Sequence, residues 1–279
     1  LKIIKAETIT REVARLCQEA NFFLGEDVMN AFKKALEIEE SEIGREILEQ
    51  LIENAKIAKQ KRVPMCQDTG YTVVFLEVGQ DLRIEGNLEE AVQEGVRLGY
   101  AEGYLRKSIV EHPFRRRNTG DNTPAVIHTE LVSGDNLKII VAPKGGGSEN
   151  MSKIKMLKPA DGKEGVIDFV LQCVKEAGPN PCPPIVVGVG IGGTFEKAAY
   201  LAKKALLREI GSSHPDPEIA ELEQILLQKI NDLGIGPAGF GGVITALDVN
   251  IEIFPCHIAS LPVAVNLNCH AARHKETVL

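Results

Sequence analysis

No two of the six cysteines stand three residues apart, so the chain has no C-x-x-C pair. That absence takes away the usual support for thioredoxin-like redox chemistry and for zinc ribbons. No apolar run approaches the roughly 20 residues that span a bilayer. The amino-terminal stretch LKIIKAETIT turns polar and charged too early for a signal peptide. A long basic run is also missing and the formal net charge is −7, which disfavours a nucleic-acid partner. Arg115-Arg116-Arg117 is the one local exception. No internal repeat and no low-complexity segment interrupts the chain. The expectation is a soluble, cytoplasmic protein with reduced thiols and neither a membrane nor a nucleic acid as partner.

What is present is ordinary globular material: 279 residues, 44% hydrophobic and 25% charged. A chain of that size buries a core without disulfide staples. Residues 7–60 read as helical. TREVARLCQEANFFL carries Val13, Leu16, Cys17 and Ala20 on one face, and SEIGREILEQLIENAKIAKQ repeats the pattern behind Ser41 as N-cap. YTVVFLEVG reads as a strand, and LEEAVQEGVRLGYAEGYLRKSIV as a helix despite its glycines. TPAVIHTELV and NLKIIVAPK predict two antiparallel strands joined by the turn residues 133–136. KEGVIDFVLQCVKEAG, TFEKAAYLAKKALLREI and PEIAELEQILLQKINDLG predict helices. PPIVVGVGIGG predicts a buried strand, and the alternating segment after residue 240 predicts further strands. The fold class expected is mixed α/β (α+β). A helical portion, 1–62, packs on a glycine-rich α/β body, 63–279, as one continuous domain.

The thiols divide by surroundings. Cys17 and Cys173 lie on helical faces among apolar neighbours, where cysteine is a small hydrophobe. Cys66, Cys182 and Cys269 stand in MCQDTG, NPCPPI and NLNCHA, beside turn or strand-end residues. A thiolate needs nearby donors or a metal, and loops supply them where a helix interior does not. These three are candidate metal ligands. Cys256, in FPCHIASLP, looks similar and opens a rival reading. Cys256, Cys269, His270 and His274 give C-x12-C-H-x3-H, with both histidines on one helix face, a possible zinc set lacking the usual close cysteine pair.

Two glycine clusters carry further candidates. Gly188, Gly190 and Gly193 match G-x-G-x-x-G between a strand and a helix, where a dinucleotide fingerprint belongs. The acidic residue about twenty positions on, Glu209, ends a helix and not a second strand, so close strand-to-helix packing explains the motif better. KGGGSEN, 144–150, lets backbone N–H groups converge on an anion, and reads as a carboxylate- or phosphate-binding turn. Arg106 and the 115–117 run are candidate clamps for an acidic substrate. His257 sits between Cys256 and an apolar strand start, a setting in which histidine is more often structural.

Taken in order, MCQDTG, NTGDNTPA, KGGGSENMS, CPPIVVGVGIGGT and PCHIASLPVAVNLNCHAARHKE resemble the alpha subunit, or amino-terminal half, of class I iron–sulfur fumarases and L-tartrate dehydratases. The resemblance covers nearly the whole chain. It implies a 4Fe-4S cluster ligated by Cys66, Cys182 and Cys269. It makes Asp68 and His257 catalytic candidates, and Gln67, Arg106, Gly146 and Gly147 substrate-binding ones. Cys256 falls where single-chain relatives have an arginine, and so is not a ligand. The implied activity is a hydro-lyase's: fumarate to malate, a step of the tricarboxylic acid cycle, or tartrate to oxaloacetate. Single-chain members continue into a second domain with further substrate arginines, a lysine and a threonine base, whereas this sequence ends at Leu279. The resemblance therefore implies a separately encoded beta subunit, an alpha2beta2 heterotetramer, and no turnover by the isolated chain. The alternative is a non-catalytic zinc- or nucleotide-binding module.

Overall fold

Amphipathic periodicity in the first sixty residues becomes three helices after a short strand. They are β1 (Lys2–Lys5), α1 (Ala6–Phe22), α2 (Glu26–Ile38) and α3 (Glu42–Lys61). The computed structural model describes residues 2–279. The chain continues through β2 (Tyr71–Gly79), β3 (Leu82–Glu85), α4 (Leu88–Glu102), β4 (Val126–Val132), β5 (Leu137–Lys144) and the single turn α5 (Gly146–Glu149). Then follow β6 (Lys153–Leu157), α6 (Gly162–Ala177), β7 (Ile185–Gly192), α7 (Phe195–Ala205) and α8 (Pro217–Asn231). The last elements are β8 (Ala246–Phe254), β9 (Leu261–Asn268) and β10 (Lys275–Val278). The fold is mixed α/β. Ser41 caps α3 as its sequence predicts, its Oγ accepting the Gly44 N–H at 3.2 Å.

Two compact units form, and neither is a continuous stretch. The first takes residues up to Leu24, Asn54–Gly146 and Arg273–Leu279; the second takes Gly25–Glu53 and Gly147–Ala272. The helical segment 1–62 therefore contributes to both, with α1 in one and α2 in the other.

In the first unit the sheet order is β10-β5-β2-β4, and β1 pairs in parallel with β3. Val74, Leu76, Ile139 and Val141 meet Val13, Leu16 and Cys17 of α1 and Val92, Val96 and Tyr100 of α4 in one buried cluster. Each such aliphatic side chain contributes about 1.5–3 kcal/mol on full burial. β4 and β5 run antiparallel, as expected, but are not neighbours in the sheet. β2 lies between them, parallel to β4 and antiparallel to β5. The reason is burial: Val73 to Leu76 are all buried, as a central strand requires, whereas β4 leaves Leu131 80% exposed at the edge. The 133–136 turn folds over the end of β2, where Gly79 N–H donates to Asn136 O at 2.8 Å.

In the second unit the order is β6-β9-β7-β8, with β7 parallel to β8 and antiparallel to β9. Val170 and Cys173 of α6 and Leu222 and Leu226 of α8 cluster with Val187, Val189, Ile251 and Val265. α7 contributes Ala198 and Ala202 to a separate small cluster with Ala264 of β9. The carboxylate of Glu39, after α2, accepts the N–H groups of Ser41, Val243 and Ile244 at 2.8–3.0 Å. It thereby ties the α2–α3 corner to the entry of β8.

Candidate active site

Proline 64 and glycine 70 bracket a turn that the first unit holds from several sides. Met65 N–H donates to Asn21 O at 3.0 Å, and Met65 O accepts from Asn54 Nδ2 at 2.7 Å. The Asp68 N–H points at Cys66 Sγ, 3.4 Å away, a donor of the kind that stabilises sulfur-borne negative charge. Both carboxylate oxygens of Asp68 accept peptide N–H groups: Oδ1 from Gly70 at 3.0 Å and Oδ2 from Gly146 at 2.8 Å. The glycine turn after β5 thus does meet a carboxylate, and that carboxylate belongs to the chain itself.

Beneath the turn lies a buried polar layer. Tyr100 OH donates to Thr69 O at 2.7 Å, and Thr69 Oγ1 donates to Arg106 O at 2.9 Å. Burial pushes the Tyr100 phenol well above its ordinary pKa, so it stays a donor. Asn122 Nδ2 donates to Gly70 O at 3.2 Å while its Oδ1 accepts from Ser108 N–H at 2.7 Å. These bonds fix the backbone of Arg106 against the Cys66–Gly70 turn. The Arg106 side chain itself is exposed and forms no ion pair among the described residues. Gln67 is likewise exposed. Of the 115–117 run, Arg117 reaches Glu111 at 3.7 Å, and all three arginines are exposed.

The second unit brings the segments that carry two of the three candidate thiols to one end of a sheet. β7 and β9 are antiparallel, with Val186 opposite Asn268. Cys182, just before β7, and Cys269, just after β9, therefore share one end of the sheet. His270 N–H donates to Cys182 O at 3.2 Å, and His270 Nδ1 lies 3.1 Å from the same oxygen, which assigns the ring proton to Nδ1. Cys182 is exposed and has φ +57°, a left-handed conformation that non-glycine residues seldom adopt. Such an outlier, in a turn flanked by prolines, points to function.

By contrast Cys17 and Cys173 are wholly buried, and burial pushes each thiol up to about 12. They are protonated packing residues, as their helical faces predict. Cys66 and Cys269 are half-buried, and Cys182 and Cys256 are exposed.

Cys256 and His257 lie in the exposed β8–β9 connection. His257 Nδ1 accepts the Ala259 N–H at 3.1 Å, which leaves Nε2 as the outward, proton-bearing nitrogen of the neutral ring. This connection is at the opposite end of the sheet from Cys182 and Cys269. β9 has 8 residues, and at about 3.3 Å per residue its ends lie more than ~20 Å apart. The zinc reading fails on that spacing. It fails also because 269–274 is not helical, so His270 and His274 share no helix face. Among the described residues no group of three or more His, Cys, Asp or Glu is assembled into a metal site.

Packing accounts for the G-x-G glycines without a nucleotide. A Cβ at Gly188 would stand 2.1 Å from Ala202 O, and one at Gly190 2.1 Å from Ala198 O. These glycines let α7 lie against β7. Gly145, Gly146 and Gly147 meet no such obstacle: an added Cβ comes no nearer than 3.3, 3.8 and 3.4 Å to any atom, and none has positive φ. Neither packing nor backbone conformation requires glycine there.

The residues present fit an iron–sulfur centre better than a hard cation. Cys66, Cys182 and Cys269 stand in loops, Cys66 with an N–H···S contact and the other two at one sheet end, and soft thiolates are the ligands of such clusters. Sequence reasoning missed Asn122, Tyr100 and Arg273, because their roles arise from burial. Arg273 is 4% exposed and donates from Nη2 to Asp68 O. NTGDNTPA carried the only signal for Asn122, which has φ +65°.

The fumarate hydratase (Fumerase) family model matches residues 10–278. Over 272 residues the chain is 50% identical to a Methanocaldococcus jannaschii protein ascribed to the alpha subunit of L(+)-tartrate dehydratase, covering 95% of each. It is 36% identical over 269 residues to L(+)-tartrate dehydratase subunit alpha of Escherichia coli (strain K12) and of Shigella sonnei, covering 95% of this chain and 88% of each relative. With that match running nearly end to end, the chain belongs to the fumarate hydratase (Fumerase) family, whose chemistry is that of carbon–oxygen lyases.

Proposed function

We propose that this chain is the cluster-bearing alpha subunit of a hydro-lyase that interconverts fumarate and malate, or converts tartrate to oxaloacetate, with a separately encoded beta subunit. The names of its relatives support both the substrate class and the division into subunits. The observation that carries the reading furthest is that His270 contacts the Cys182 carbonyl twice, which sets Cys182 and the neighbouring Cys269 at one end of the sheet. With Cys66 they would hold a 4Fe-4S cluster. When bound, such a cluster supplies Lewis acidity at the iron that no cysteine ligates.

The chain's own residues do the rest. Arg106, with its backbone fixed and its side chain exposed, binds a substrate carboxylate through two parallel N–H donors. Gln67 offers an amide beside it. Gly146, its N–H held by Asp68, and Gly147 lack side chains, so a dicarboxylic acid can approach their backbone closely. Asp68 is oriented at both oxygens by peptide donors and retains lone pairs with which to accept a hydroxyl proton. His257 offers the Nε2 proton, but at the far end of the sheet from Cys182 and Cys269. For His257 to act on the same four-carbon acid, a second copy must supply it. That requirement favours self-association, as in an alpha2beta2 assembly.

The test is an anaerobic assay of fumarate and tartrate consumption by the reconstituted chain, alone and with its beta subunit. Turnover is expected only with both. Full activity of the chain alone contradicts the division of labour, and turnover without bound iron and sulfide contradicts the cofactor.

A further inference from the structure

Arg273 is the buried charge that the site does not account for. The residue is 4% exposed, and arginine does not lose its proton in a protein. Nη2 donates to the carbonyl oxygen of Asp68, whereas Nε and Nη1 are buried with no hydrogen-bond partner. No carboxylate forms an ion pair with it among the described residues. The nearby carboxylate of Asp68 already accepts from Gly70 and Gly146 N–H, and Tyr100 is neutral. Arg208 shows the usual arrangement: also largely buried, it pairs with Glu223. A buried charge left unpaired is strongly unfavourable, so Arg273 marks a place where negative charge arrives from outside the chain's own carboxylates.

We propose that Arg273 is a positioning residue for the Cys66 limb of the site. Its Nη2 clamps the Cys66–Gly70 turn through the Asp68 carbonyl, and its charge offsets the negative charge that the turn carries once Cys66 ligates the cluster. The second half of this assignment rests on the cluster reading above; the first does not. Arginine suits the task because its planar fork holds one donor on the turn while two others remain directed elsewhere, which a lysine cannot reproduce. Partners outside the ligand shell commonly govern retention of a metal group.

The experiment compares wild type, Arg273→Gln and Arg273→Lys in the full 279-residue chain. Hydrogen exchange of residues 65–71 in the metal-free protein reads the clamp. Iron and sulfide content after anaerobic reconstitution, and the rate of iron loss to a ferrous chelator, read the charge. Both substitutions should speed exchange of residues 65–71 at unchanged helical circular dichroism. Arg273→Gln should lose iron about tenfold faster than wild type. Arg273→Lys, which keeps the charge without the fork, should fall between them, an ordering that lost packing alone does not produce. Unchanged exchange in Arg273→Lys overturns the clamp, and should Arg273→Gln not fold, Arg273→Lys still decides it. Equal iron retention in all three chains overturns the counter-charge. If wild type itself takes up no iron and sulfide, the cluster reading and the counter-charge fall together, and the exchange result alone decides the clamp.

Discussion

At Gly188 and Gly190 a methyl group would strike carbonyl oxygens of α7 at 2.1 Å, whereas at Gly146 and Gly147 it would meet nothing closer than 3.8 and 3.4 Å. The two stretches look alike in composition and differ in what consumes the missing side chain. In the first, a helix does. In the second, no described residue packs into the space a side chain would fill, although the Gly146 N–H is held by Asp68. The cysteines divide the same way. Cys17 and Cys173 fill the cores around α1 and α6, while Cys66, Cys182 and Cys269 stand in loops outside those cores. The residues that folding leaves over are the ones the proposed chemistry uses.

The sharpest way to break this comparison is to add the methyl group. Gly190→Ala should destabilise the second unit by about 3 kcal/mol or more, the upper range for an overpacked core, read as a lower thermal midpoint. Asp68→Asn should keep the fold and lose about a hundredfold in turnover, within the range for a group that handles protons. The amide cannot accept from both Gly70 and Gly146 N–H, so one peptide donor faces another donor. Gly146→Ala should leave the thermal midpoint unchanged and lower kcat/KM by about tenfold, equivalent to about 1.4 kcal/mol of transition-state stabilisation. A reversed outcome for the two glycines, stability lost at 146 and kept at 190, would remove the distinction. Alkylation of the folded, metal-free chain at neutral pH should modify Cys66, Cys182, Cys256 and Cys269 and spare Cys17 and Cys173. A thiol whose pKa is pushed up to about 12 carries almost no thiolate at neutral pH.

Much of this was legible before any coordinates. The helical faces around Cys17 and Cys173, the buried run of β7 and the Ser41 cap follow from local periodicity and capping chemistry, which act within a few residues. The placement of β2 between β4 and β5 shows the limit. Turn residues 133–136 do reverse the chain, but which strand lies beside β5 depends on the burial of Val73–Leu76, a tertiary matter. β1, β3 and β6 were unseen because strands of 4 or 5 residues hold too few alternations to stand out. The spacing of His270 and His274 suits a helix, but the strand running to Asn268 gives way to irregular chain there. Of the site, the thiols and Asp68 were visible as motifs. Arg273 was not, since a basic residue in AARHK reads as surface until the fold buries it.

Iron and sulfide content after anaerobic reconstitution of single cysteine variants tests the central claim most directly. Cys66→Ser, Cys182→Ser and Cys269→Ser should each lose the cluster, and Cys256→Ser should retain the wild-type complement. A full complement in any of the first three, or its loss in Cys256→Ser alone, would contradict the account.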